Sequence, residues 1–71
     1  MKRVETFILD KVDTTPKLKD IEECVRIAKE NDCVVNLKWF MKYSGKYERY
    51  IEADDDPNEF YERNLPKIYG V

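Results

Sequence analysis

The chain contains no histidine. The side chain that most often serves as general base and metal ligand near neutral pH is therefore missing. Glycine occurs twice and proline three times in 71 residues, and there is no internal repeat, low-complexity tract or linker-like segment. The longest apolar run near the N-terminus is Phe7-Ile8-Leu9, far too short for a signal-peptide core or a membrane span. Lys2 stands where a myristoylation signal needs glycine, and the final Tyr69-Gly70-Val71 carries no prenylation cysteine. A cytoplasmic location without membrane attachment is the expectation. The two cysteines, Cys24 and Cys33, have a spacing unlike a disulfide framework or a metal knuckle and are expected as reduced, buried thiols.

What is present is charge of both signs and aromatic residues, 39% and 13% of the chain. A disordered chain would hold far fewer aromatic and β-branched residues. Seventy-one residues make a single domain, 1–71, near the lower end of what folds without disulfides or metal. Its core must be one layer of side chains between a small sheet and one or two helices, which leaves little room for a deep catalytic pocket. The charge is unevenly placed. Residues 1–51 hold eleven basic and nine acidic side chains, whereas residues 52–71 hold two basic and six acidic ones. Wholesale attraction to DNA, RNA or anionic lipid is not expected of such a chain.

The pattern along the chain predicts the order β-α-β-β-α. Residues 4–9 read as a strand rich in β-branched and aromatic side chains. Thr15-Pro16 then offers a helix cap and first position. Leu18, Ile21, Cys24, Val25 and Ala28 recur at three- and four-residue steps, with Ile27 at the margin, and predict an amphipathic helix over 16–31 that ends at Asn31-Asp32. Residues 34–53 read as a β-hairpin. Pairing Tyr43 with Tyr47 puts Leu37, Trp39 and Met41 on one face; the other face then pairs Lys38 with Glu52, Phe40 with Tyr50, and Lys42 with Glu48. The weak point of that register is the turn, since a bulged three-residue loop prefers glycine last and Gly45 would fall second. Asp56 and Pro57 predict the start of a second helix, with Glu59 able to reach back as in a capping box and Pro66 ending or kinking it near Asn64. The expectation is thus a small α+β domain with a three-stranded, mainly antiparallel sheet, a long helix on one face and a short C-terminal helix. The first strand can lie at either edge of the hairpin.

Catalysis fits this sequence poorly. Cys24 is the only nucleophile on a regular element, and it lies in the apolar stripe with no base near it in sequence. Ser44 is a turn residue. No cofactor is implied. Asp54, Asp55, Asp56 and Glu59 could offer hard oxygen ligands, but a calcium loop needs alternate spacing and a glycine turn, which this stretch lacks; no metal site is expected. Helix capping and solvated charge are the plain account of the acidic run.

The sharper account treats Glu52, Asp54, Asp55, Asp56, Glu59 and Glu62 as a recognition surface. They fall within eleven residues that contain no Lys or Arg. Carboxylates strung along a strand end and a helix start can imitate nucleic-acid phosphates and occupy the basic groove of another protein, with Tyr61 and Tyr69 as aromatic anchors. A competing account uses the other hairpin face. There, Phe40 and Tyr50 flanked by Lys38, Lys42 and Lys46 would stack single-stranded bases, although Glu48 and Glu52 neutralise that patch. A third makes the hairpin a homodimer contact.

No stretch matches a family motif. In general style (very short, acidic at one end, histidine-free) the chain resembles small inhibitor proteins of phages and other mobile elements, including anti-CRISPR and DNA-mimic proteins. That resemblance implies a class and assigns no residue a role. The expected function is therefore non-catalytic binding of another protein with a basic nucleic-acid-binding surface.

Overall fold

The computed structural model describes residues 2–64. Its elements are β1 (Arg3–Ile8), α1 (Leu18–Asn31), β2 (Cys33–Met41), β3 (Gly45–Ile51) and α2 (Pro57–Asn64), in the β-α-β-β-α order expected. β2 is the middle strand, with β1 parallel to it on one side and β3 antiparallel on the other. The sheet is therefore mixed rather than mainly antiparallel. The cause is the helical crossover: α1 returns the chain to the end of the sheet where β1 began, so β1 and β2 run the same way. Beyond β1 the pairing continues, with the Leu9 amide donating to the Lys38 carbonyl (3.0 Å) and the Asp13 amide to the Phe40 carbonyl (2.7 Å).

The helix starts later than the 16–31 predicted. Pro16 is fully buried, and Lys17 takes an extended conformation as the residue before the first turn, its amide donating to Asp20 Oδ2 (2.8 Å). Asp20 thus satisfies the entry amide that was assigned to a Thr15 cap, while the Pro16 ring is spent on the core. At the far end Asp32 adopts a left-handed conformation (φ 49°), and its amide donates to the Ala28 carbonyl. Ile21, Cys24, Val25 and Ala28 are the buried stripe, as their spacing predicts.

The hairpin register differs from the predicted one by four residues. Trp39 lies opposite Tyr47, Lys38 opposite Glu48 and Phe40 opposite Lys46. Four is even, so every side chain keeps its face, and the apolar alternation cannot distinguish the two registers. The turn can. In the observed register residues 42–44 form the turn and Gly45 follows at φ 94°, a conformation that glycine adopts without steric strain. Trp39 stacks on Tyr47 with centroids 5.6 Å apart and planes within 14°; the Arg49 guanidinium lies 6.0 Å from the Trp39 ring centroid.

The core is a single layer, as the chain length requires. Ile21, Cys24, Val25 and Ala28 from α1 meet Cys33, Val35, Leu37 and Trp39 from β2 and Ile51 from β3. Phe60 and Tyr61 of α2 are partly buried against the same cluster. Both helices therefore occupy one face of the sheet. Among the described residues, no helix is long and apolar enough to cross a membrane.

If the turn sets the register, Gly45→Ala loses stability although the new methyl group would meet nothing within 4 Å. The expected loss is about 1–2 kcal/mol from the left-handed backbone, read from the denaturant midpoint. An unchanged midpoint would show that the turn does not impose this conformation.

Candidate functional site

The acidic segment begins where β3 ends. Ile51 is fully buried and anchors the strand end; the chain then reverses through a short turn. The Glu52 amide donates to Asp55 Oδ2 (2.7 Å), and the Asp55 amide donates back to the Glu52 carbonyl (3.1 Å). One residue on, Asp56 caps α2 as predicted: its Oδ1 accepts the Asn58 amide at 3.0 Å and the Glu59 amide at 3.5 Å. Two of the six carboxylates therefore hold the backbone of the segment that carries them.

The others are differently employed. Glu59 pairs with Arg63 one turn along α2 (3.9 Å), both side chains largely exposed. An exposed pair of this kind contributes about 0–1 kcal/mol. Glu52, Asp54 and Glu62 are exposed. Phe60 and Tyr61 turn toward the core, so Glu59 and Glu62, three residues apart, share the outer side of the helix. Tyr61, expected as an aromatic anchor, is thereby partly buried against the core. Tyr69, the other proposed anchor, lies outside the described residues, as do Leu65 and Pro66.

The alternative stacking platform is not assembled. Phe40 stands opposite Lys46, and Tyr50 stands opposite Asn36; the two rings are four positions apart, roughly 13 Å along the strands. Lys38 lies 4.0 Å from Glu48. Lys42 belongs to the turn, its ammonium 5.5 Å from the Tyr43 ring centroid and its amide donating to Asp13 Oδ1 (2.5 Å). The physical reason is again the register, which replaces the predicted aromatic pair by Phe40 with Lys46. The second helix also leaves this face open, since it packs beside α1.

Cys24 is far from a nucleophile. Burial, reinforced by the nearby charges of Asp20 and Glu23, pushes its thiol up to about 12, so it remains protonated at neutral pH. Cys33 is likewise fully buried. On the solvent side of α1, Arg26 hydrogen-bonds to Glu23 and Glu30, and that hydrogen bond holds the Glu23 carboxyl below its ordinary value. Among the described residues, no group of three or more Cys, Asp or Glu side chains is arranged to hold a metal ion.

Two features were missed in the sequence. Asn36 sits at the centre of β2 with 7% of its surface exposed; its Nδ2 donates to Glu48 Oε1 (3.1 Å), and its Oδ1 is buried without a hydrogen-bond donor. On a face that alternation turns outward, a polar residue gave no signal of this. The second is Asp13, whose left-handed backbone (φ 65°) and carboxylate fasten the β1–α1 loop to the hairpin turn.

Comparison with known proteins gives no match among family models, curated proteins or solved structures.

Single substitutions should separate the structural carboxylates from the others. Asp56→Ala is expected to lower stability by about 1 kcal/mol through loss of the cap, whereas Asp54→Ala stays within about 0.5 kcal/mol of the parent. Equal losses in chemical denaturation would refute this division.

Proposed function

We propose that the protein is a non-catalytic binding module whose acidic segment, residues 52–62, docks on the basic nucleic-acid-binding surface of another protein and blocks it. The observation that carries this reading is the fixed backbone beneath exposed charge. Asp55 closes the turn and Asp56 caps the helix, while Glu52, Asp54, Asp56, Glu59 and Glu62 remain exposed. A surface ordered before binding loses less entropy on association than a flexible acidic tail. Arg63 is the one cation within 52–63, and its exposed pairing with Glu59 screens only part of the field. Carboxylates presented in this way would steer a basic groove toward the segment and compete with phosphates for it.

The test must spare the carboxylates that shape the segment. Reversing Glu52, Asp54 and Glu62 to Lys leaves the Asp55 turn and the Asp56 cap in place. Immobilised parent protein should retain a nucleic-acid-binding protein from lysate at low salt, release it at high salt, and lose it in the triple variant, whose circular dichroism stays unchanged. Oligonucleotides should not be retained by the parent. Equal capture by the triple variant, or capture insensitive to salt, would overturn the proposal.

A further inference from the structure

The sheet has a second face. Both helices pack on the first, and among the described residues no element crosses the other. Val4, Ile8 and Tyr50 are 52%, 49% and 56% exposed there, and Val34 and Phe40 are only half-buried. In the same face the Oδ1 of Asn36, itself 7% exposed, lacks a donor. A buried amide oxygen left without a donor is costly.

We infer that this open face is the contact surface of a symmetric homodimer, two copies packing sheet against sheet. The argument is charge complementarity under a two-fold axis. β3 presents Lys46, Glu48 and Tyr50 to this face, with Glu52 one residue past its end, and β2 adds Lys38 between Asn36 and Phe40. The face thus carries two cations and two anions and is neutral as a whole. An axis lying between the two sheets, perpendicular to the strands and passing between Asn36 and Lys38, reverses the order of these rows in the second copy. It brings Lys46 against Glu52 of the second copy and the Tyr50 hydroxyl against Glu48. The same operation sets Asn36 against Lys38 and Val34 against Phe40. Each pairing occurs twice, as an isologous interface requires. Face-to-face sheets about 10 Å apart leave room for these side chains to interdigitate. Lys38 and Glu48 already lie 4.0 Å apart within one copy, so Lys46 and Glu52 are the charges that a second copy answers, and a partner of a single charge sign would leave one of them unanswered.

The patch is small. Three short strands supply fewer residues than the 20–30 per side typical of a stable interface, so the dimer forms reversibly and depends on concentration. Glu52 is the one carboxylate shared with the proposed docking segment; the rest of that segment, from Asp54 to Glu62, stays outside the contact, because α2 packs on the other side of the sheet.

Analytical ultracentrifugation over a concentration series tests this directly on the isolated chain. The parent is expected to pass from monomer to dimer. Lys46→Glu, on an exposed side chain, should raise the midpoint concentration by about tenfold or more, since it turns two attractive pairs into repulsive ones. Adding Glu52→Lys to that variant should restore the parent midpoint. A parent that stays monomeric throughout the series overturns the inference. So does association that ignores Lys46→Glu, which would place the contact elsewhere, such as the free edge of β1. A double variant that fails to recover, with circular dichroism like the parent's, overturns it as well.

Discussion

The structure depends on the burial of one side of the central strand. β2 gives Cys33, Val35, Leu37 and Trp39 to a single layer beneath α1, and all four are fully buried. With so short a chain there is no second layer to share the load. Removing a buried side chain the size of Trp39 costs about 3–5 kcal/mol, a large part of the 5–15 kcal/mol that separates folded from unfolded domains in general. Trp39 is therefore the point at which the helix, the hairpin and the stacked Tyr47 are held together, and the other elements are arranged around that requirement. Because both helices are used to cover one face, the opposite face is left to the strands' own side chains.

The same economy explains the acidic segment. A run of carboxylates repels itself, and such a run left unpaired tends toward disorder. Here the segment is interrupted by jobs: Asp55 accepts a backbone amide, Asp56 caps a helix at its positive end, and Glu59 has Arg63 one turn away. These roles make the high charge density compatible with a defined shape. What remains for a partner is a held backbone with several exposed carboxylates, a different object from an acidic tail. The aromatic residues that would have favoured nucleic acid are divided by the register; of the lysines beside them, Lys38 lies against Glu48 and Lys42 belongs to the turn.

Much of the fold was legible in the residues. The three- and four-residue spacing of Ile21, Cys24, Val25 and Ala28 announced the long helix and its buried side. Asp56 followed by Pro57 announced the second helix to the residue. The alternation in β2 identified which of its side chains lie inside. The pairing of β2 with β3 was not legible from alternation, since a slide of four residues changes no face; only the conformational demand at Gly45 discriminates, and that signal was weighed below the apparent gain from two charge pairs and an aromatic pair. The parallel placement of β1 was open because the crossover rule permits either edge. Thr15-Pro16 misled because the same residues that suit a helix start also suit a buried extended entry. At the candidate site the cluster of six carboxylates was visible, but their division into structural and free groups required the turn geometry. Asn36 was not legible because alternation puts it on the outward face of β2 with Lys38, where a polar residue is ordinary; its burial appears only in the packing.

The pairing of Trp39 with Tyr47 places Glu52 beyond the strand end, where the acidic turn begins, and aligns the charges of the open face. Through-space proton contacts measured by nuclear magnetic resonance test it most directly. Ring-to-ring contacts between Trp39 and Tyr47, with Lys38 across from Glu48, are the result this account predicts. Contacts from Trp39 to Ile51 together with Phe40 to Tyr50 would contradict it: the strand would then run on to Ala53, and both proposed surfaces would lose their geometry.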